Sequence, residues 1–187
     1  MASFAEDYLT IAVEATRDDF DGLNDVLDRL PVAIYLTDPR GTITHFNSAC
    51  IELAGRTPVV QHDKWCVTWK LYTLDGEPLP HDQCPMAVAI RERRMVRGTE
   101  AVAERPDGTR IQFVPYPTPL FDEQGTFIGA VNLLVDAKRV RHADHLREQA
   151  AHCRSLALAN SDTRTTRTLR DMADEYDTQA AQLIAPN

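Results

Sequence analysis

Two histidines and two cysteines in the middle of the chain have a spacing that could support metal chemistry. Three residues separate His62 from Cys66, and two separate His81 from Cys84, which gives the pattern H-x3-C…H-x2-C. Imidazole nitrogens and thiolates are the usual donors of tetrahedral zinc sites. The four residues are therefore a candidate zinc set, with ordinary packing of the cysteines as the alternative.

Histidines near the C-terminus raise the question of phosphotransfer. A phosphoacceptor helix usually carries His followed by an acidic residue, with Pro a few positions later. Here His142 is followed by Ala143 and His145 by Leu146, and the next proline is Pro186. The sequence also lacks a Gly-rich phosphate loop, Gly-x-Ser-x-Gly and His-Glu-x-x-His. We predict solvent-facing histidines, no catalytic residues and no enzymatic activity.

Composition narrows the classes of partner. The 187 residues carry a formal net charge of -8, with 43% hydrophobic and 26% charged residues. Nucleic acid and anionic membrane surfaces would repel such a chain at long range, so neither is an expected partner. The N-terminus has no secretory signal pattern, and with four scattered cysteines we expect reduced thiols in a cytoplasm. The length leaves no room for a separate kinase or cyclase domain.

Apolar spacing divides the chain into three regions. The spacing in residues 1–30 predicts an acidic amphipathic helical segment, with two helices or a kink near Arg17 and an end before Pro31. Residues 137–187 carry two narrow, Ala-rich stripes separated by Asn160-Ser161-Asp162, which predicts a helical hairpin. We interpret the N-terminal stripe as a dimer interface, with the following candidates: Phe4, Tyr8, Ile11, Phe20, Leu23, Leu27.

Residues 31–136 change to an alternating pattern. We predict five strands, over residues 32–37, 42–46, 96–104, 109–120 and 127–135. Asn47 is the expected cap of a short helix that ends at Gly55, and a second helix is expected over residues 83–94. Three prolines between residues 115 and 119 favour an irregular or edge position there. The order predicts an α+β fold with an antiparallel sheet and helices on one face.

The turns of this middle region resemble those of the PAS domain family, a sensor module of signalling proteins. The resemblance rests on an ordered set of segments: Leu36–Ile43, Asn47, Gly55, Leu74–Pro80, Cys84–Ala87, Arg105–Thr109, Pro119–Gly125 and Gly129–Asp136. It implies a five-stranded antiparallel sheet, helices over one face with a cleft beneath them, and flanking helices that dimerise and carry signals. Because Cys84-Pro85-Met86-Ala87 is common in such domains, the resemblance favours a packing role for Cys84.

The resemblance also bears on cofactors. Flavin-binding members use an Asn-Cys pair, which this sequence lacks. Haem-binding members often place a ligating His on the helix that follows the middle segment. Here that helix is predicted over Gln83 to Arg94, and it contains no His. Flavin and haem are therefore not expected, and the cofactor is left open. From the predicted strand and helix faces we assign these cleft-lining, ligand-binding candidates: Ile34, Tyr35, Leu36, Trp69, Met86, Ile90, Phe113, Val131.

These features predict a bacterial, cytoplasmic PAS-type sensor or adaptor. It would bind a small ligand or a partner protein and transmit the change through flanking dimerisation helices. A homodimer and a signalling partner, such as a kinase or transcription regulator, are expected. The alternative is a pure interaction module whose cleft is filled by side chains and holds no ligand.

Overall fold

A computed structural model describes residues 8–14 and 23–184, which fall into two compact units. The first unit runs to Ala137 and the second begins at Lys138. The strands are β1 Ala33–Thr37, β2 Ile43–Phe46, β3 Lys70–Tyr72, β4 Ala101–Glu104, β5 Arg110–Phe121 and β6 Phe127–Asp136. The helices are α1 (residues 8–14), α2 Leu23–Asp28, α3 Ser48–Ala54, a 3-10 turn at His81–Gln83, α4 Pro85–Glu92, α5 Ala137–Ala159 and α6 Thr163–Ile184.

The first unit is built on one antiparallel sheet in the order β2-β1-β6-β5-β4-β3. Strand β6 lies between β1 and β5, as its nearly continuous apolar sequence predicts. The predicted fold class is confirmed, but the sheet has six strands rather than five. The additional strand β3 has three residues, too few for an alternating pattern to stand out in the sequence.

The proline-rich half of β5 projects beyond the end of its neighbour β4. Strand β4 pairs only with Arg110–Phe113, whereas β6 pairs with β5 from Phe113 to Phe121. Beyond that point the carbonyl of Pro117 accepts hydrogen bonds from the Val96 amide (3.3 Å) and from the Arg97 guanidinium (2.9 Å). Prolines are tolerated here because no ladder bond to β4 is required of them.

Asn47 ties the N-terminal helix α2 to the sheet. Its Oδ1 accepts the Ile34 amide at 3.0 Å, and its Nδ2 donates to the carbonyls of Leu27 (3.0 Å), Leu30 (3.1 Å) and Val32 (2.8 Å). The predicted capping role is wrong in detail, because the Asn47 side chain makes no cap bond to α3. Gly55 does end α3 as predicted, in the left-handed conformation with φ 65°.

The second unit is a hairpin of α5 and α6. Its core cluster consists of Ala150, Cys153 and Ala173 with Tyr176 packed beside it, and Arg154 on α5 forms ion pairs with Asp174 and Asp177 on α6. Across the described residues, no helix combines the length and apolar character needed to cross a membrane.

Candidate functional site

The predicted cleft residues separate onto two faces of the sheet. Tyr35, Met86, Ile90 and Phe113 belong to the core between the sheet and the helices α3 and α4, where Ala33 and Leu134 also lie. Because strand side chains alternate, Ile34 and Leu36 on β1 point to the opposite face from Ala33 and Tyr35. Val131 is likewise out of phase with Ala130 and Leu134.

The assignment of Ile34, Leu36 and Val131 to the cleft wall is therefore wrong. All three are buried, with exposed fractions of 0%, 4% and 0%, but outside the core cluster beneath the helices. Both faces of β1 are apolar, since all five of its residues are buried. A strand that is buried on both sides shows no alternation of apolar and polar residues, so the sequence does not indicate which of its side chains face the helices.

A buried polar network crosses the cleft at Tyr35. The Tyr35 hydroxyl donates to the carbonyl of Trp65 at 2.8 Å and accepts from the Asn132 amide at 2.9 Å. Asn132 Oδ1 in turn accepts the backbone amide of Tyr116 at 3.0 Å. The chain of bonds runs from the segment before β3, through β1 and β6, to β5. Such a fully paired network inside a core fixes one arrangement of its elements.

Trp65 presents its carbonyl inward because its backbone is left-handed. Its φ is 68°, which is uncommon for a residue with a bulky side chain. The Trp65 ring covers Gly41, where an added Cβ would come within 2.2 Å of ring carbons. The Trp65 amide also donates to the Gly41 carbonyl at 2.7 Å. Gly41 thus supplies both the turn after β1 and the space that lets Trp65 reach the cleft.

The network extends toward the surface through a hydroxyl and an imidazole. Thr68 Oγ1 donates to Cys66 Sγ at 3.2 Å and lies 3.4 Å from His81 Nε2. Burial, followed by the charge of Arg56, lowers the pKa of His81. The neutral imidazole is therefore the form that this site favours.

The thiols of the cleft are held in their protonated form. Burial raises the pKa of Cys84 to about 12, and it also raises the pKa values of Cys50 and Cys66. Burial likewise raises the pKa of Tyr35 well above its usual value. Because the thiolate is the form that attacks or binds metal, these cysteines act as small packing groups.

The candidate zinc set does not assemble into a ligand group. His62 has an 82% exposed side chain and contacts Asp63, whereas Cys66 and Cys84 lie in the core. Within residues 8–14 and 23–184, no group of three or more His, Cys, Asp or Glu side chains could hold a metal ion.

Side chains fill the space between the sheet and the helices. Tyr35, Phe113 and Met86 have exposed fractions of 0%, 2% and 1%. Exposure this low means that these three residues border no large open cavity and pack against their neighbours as in an ordinary protein core. The part of the predicted cleft that they border is core.

Trp69 lies apart from this core, in an open surface groove. Its exposed fraction is 44%, and Lys70 Nζ lies 4.1 Å from its ring centroid. The groove has a volume of about 240 Å³ and is lined mainly by apolar side chains beside β3: Trp69, Leu71, Tyr72, Pro78, Leu79, Pro80, His81.

The predicted dimer-interface residues also separate. Leu23 and Leu27 are fully buried within the first unit, so they pack inside the chain rather than at an exposed surface. Ile11 is 43% exposed and Tyr8 is half-buried. Phe4 and Phe20 lie outside the described residues.

Several residues of the network were absent from the predicted site. Asn132 interrupts the apolar run of β6 and is 2% exposed. A single amide side chain in a central strand must find a hydrogen-bond partner in the core, and this could have identified Asn132 from the sequence. Trp65 and Thr68 sit in a segment without regular periodicity, and no pattern there indicated an inward carbonyl or hydroxyl.

The first unit is an α+β module with helices packed on an antiparallel sheet, and comparison with known proteins identifies its family. A family model described as PAS domain matches residues 31–138, which is more than half of the chain. The chain therefore belongs to the PAS domain family, whose members are sensory and signalling modules and are generally not catalytic. Comparison with curated protein sequences finds no match.

Comparison with solved structures finds PAS and LOV domains at low sequence identity. The PAS domain of the fruit-fly ELK potassium channel is 14% identical, with a TM-score of 0.51, over 64% of this chain and 98% of that one. The Rhodobacter sphaeroides LOV protein is 15% identical, with a TM-score of 0.48, over 88% and 93%. The PAS domain of Bordetella pertussis BvgS is 17% identical, with a TM-score of 0.41, over 70% and 99%.

Proposed function

We propose that this PAS protein is a bacterial, cytoplasmic signalling adaptor that works through protein contacts, as a homodimer, with a cleft closed by its own side chains. The observation that carries the proposal is the core around Tyr35, where Phe113 and Met86 leave almost no accessible surface. A ligand entering there would have to displace packed side chains and unmake paired hydrogen bonds, and both are costly.

The closed core still offers a route for a signal. Strand β6 carries Asn132 at its centre and leads directly into helix α5 at Ala137. A partner that shifts the Trp65 segment would act on β6 through the Tyr35 hydroxyl, because the three groups share one chain of hydrogen bonds. The output would pass to a signalling partner such as a kinase or a transcription regulator.

Flavin and haem do not fit this proposal. Either group would have to enter the packed core around Tyr35, and the helix α4, Pro85–Glu92, offers no histidine as a haem ligand. The surface groove beside Trp69 favours a second candidate function, the binding of a small apolar ligand outside the core.

An absorption spectrum and a light-scattering mass of the freshly purified full chain test the proposal. We expect no visible absorption and the mass of two chains. Visible absorption from a bound chromophore would contradict the closed cleft, and the mass of a single chain would contradict the dimer.

A further inference from the structure

The segment at the end of helix α4 is strongly basic in an otherwise acidic chain. Residues 91–97 read Arg-Glu-Arg-Arg-Met-Val-Arg, with four arginines and one glutamate, whereas the whole chain has a net charge of -8. We call these seven residues the arginine segment. Arg91, Arg93 and Arg94 are all exposed. Glu92 pairs with Arg94 at 2.6 Å, so the arginine segment keeps an excess of three positive charges.

The dipole of α4 explains only part of this charge. Cations are favourable beside the last turn of a helix, and Arg91 lies there. Arg93 follows as the cap residue, in the left-handed conformation with φ 52°, at a position that glycine or asparagine usually takes. An arginine is conformationally strained there and a glycine would not be, which indicates that the side chain itself has a role. Arg94 and Arg97 lie beyond the helix end.

Contacts with the sheet fix the shape of the arginine segment. Arg97 Nη1 donates to the Pro117 carbonyl at 2.9 Å, and its Nη2 donates to Thr118 Oγ1 at 3.0 Å, both on β5. The guanidinium carbon of Arg93 lies 5.6 Å from the centre of the Phe127 ring on β6. The arginine segment is therefore held on the sheet at two points, and a partner would meet a preformed surface.

Met95 lies between these two points of attachment. Its side chain is 60% exposed, the highest value for a large apolar residue in the described part of the first unit. Arg97 Nη2 lies 3.3 Å from the Met95 sulfur. Methionine side chains adapt to apolar partners of varied shape. An adaptable apolar contact beside fixed cations suits a ligand that combines negative charge with an apolar side chain.

We infer that the arginine segment docks an acidic peptide segment of a partner protein, whose carboxylates meet the exposed arginines and whose apolar side chain packs on Met95. The inference rests on the proposed function, an adaptor that works through protein contacts, and names the surface and the chemistry of its partner. Guanidinium groups and carboxylates form charge-assisted, often bidentate hydrogen bonds. An extended polyanion such as nucleic acid is less suited, because it would also meet the acidic remainder of the chain.

Fluorescence anisotropy of the full chain at low salt tests the inference with a fluorescein-labelled peptide of four glutamates around one leucine. The reference peptide carries glutamine in place of each glutamate. We expect the dissociation constant of the glutamate peptide to be at least about 10-fold lower than that of the reference peptide. The double variant Arg91→Glu, Arg94→Glu reverses two exposed charges and should raise the constant of the glutamate peptide at least about 10-fold.

A second double variant controls for overall charge. Arg164→Glu with Arg167→Glu makes the same charge change in residues 164–170 of α6, a stretch with the same formal charge as the arginine segment. This control should stay within about 3-fold of wild type, because the two exposed arginines of α6 lie outside the docking surface.

The apolar part of the surface has its own pair of variants. Met95→Gln should raise the dissociation constant at least about 3-fold by removing the apolar contact. Leu74→Gln, at another apolar residue that is 55% exposed, should leave it unchanged. Circular dichroism checks that each variant keeps its helix content.

The outcomes separate the inference from the proposed function. A glutamate peptide that binds no more tightly than the glutamine peptide, or that the α6 control weakens equally, overturns the arginine segment as the docking site. Met95→Gln without effect, or a thymidine oligonucleotide that binds as tightly as the glutamate peptide, would reveal a general anion site and also overturns it. Visible absorption or the mass of a single chain in the same preparation overturns the proposed function, whether or not the peptide binds.

A loss of helix content in the first double variant is met with neutral substitutions. Arg91→Gln with Arg94→Gln then takes its place, and a dissociation constant raised less than about 3-fold overturns the inference.

Discussion

Tyr35 and Asn132 are joined by a 2.9 Å hydrogen bond, although 97 positions separate them in the chain. The bond links strand β1 to the central strand β6 beneath the helices, and the Tyr35 hydroxyl continues it to the Trp65 carbonyl at 2.8 Å. One phenol oxygen thus serves as donor and acceptor at the place where a PAS ligand cleft was predicted.

Removing that oxygen should destabilise the first unit. Tyr35→Phe keeps the ring but leaves the Trp65 carbonyl and one Asn132 N–H unpaired in the core. We expect a loss of about 2 kcal/mol in the free energy of unfolding, measured in urea. Tyr176→Phe is the matched control, because within the described residues the Tyr176 hydroxyl has no hydrogen-bond partner. Equal effects of the two variants would contradict the network.

Two glycines test the space beneath Trp65. Gly41 and Gly76 have φ values of 80° and 86°, so alanine is strained about equally at both. An added Cβ at Gly41 would lie 2.2 Å from the Trp65 ring, whereas at Gly76 it would meet nothing within 4 Å. Gly41→Ala should therefore cost about 2 kcal/mol more than Gly76→Ala in thermal or urea unfolding. Equal costs would show that Trp65 does not cover Gly41.

Asn47 should be among the most sensitive positions outside the cleft. Its side chain makes bonds to four backbone groups in α2, β1 and the segment that joins them. Asn47→Ala removes a partner from all four groups, although the Leu27 carbonyl keeps its bond from the Leu30 amide at 3.0 Å, and we expect a loss of about 3 kcal/mol. Asn24→Ala, an exposed asparagine on α2, should change stability by less than about 0.5 kcal/mol. A small effect at Asn47 would mean that α2 is held by apolar contacts alone.

Stability should fall in mild acid because of His81. Burial, and then Arg56, lowers the pKa of His81 in the folded state, while Asp63 and Asp82 act in the opposite direction. The unfolded chain therefore binds the proton more readily, and stability present above pH 6.5 is lost as the pH falls toward the folded pKa.

His81→Gln should flatten this slope in urea unfolding measured between about pH 7 and pH 5. Part of the slope should persist, because burial lowers the pKa of His45 as well. His152→Gln, at an exposed position on α5, should leave the slope unchanged. An unaltered slope in His81→Gln would show that His81 gains its proton without cost.

Strong local patterns predicted the fold well. The turn at Asp38–Gly41, the left-handed stop at Gly55 and the apolar run of β6 all lie where the sequence indicates. The phase of β1 could not be read in the same way, because both faces of the strand are buried. As a result, of the three β1 residues assigned to the cleft, Tyr35 lies on the face beneath the helices, whereas Ile34 and Leu36 point to the opposite face.

The polar part of the site depends on long-range contacts that no spacing reveals. Trp65 contributes its backbone carbonyl to the network, and its left-handed backbone turns that carbonyl inward. Because every residue has a carbonyl, the residue type gave no indication of this role. Asn47 resembles a helix cap in sequence, yet its amide serves residues 13 to 20 positions earlier in the chain. Such roles follow from the packing of α2 and β1 rather than from local propensity.

Native mass spectrometry of the freshly purified full chain, repeated after denaturation, tests the closed cleft most directly because it also detects colourless ligands. For the proposed dimer, the packing around Tyr35 and Phe113 predicts a native mass of twice the bare-chain mass that is measured after denaturation, with no additional mass. One extra mass per chain that is lost on denaturation, and that persists in a Trp69→Ala variant of the surface groove, would contradict the closed cleft and identify this protein as a ligand-binding sensor.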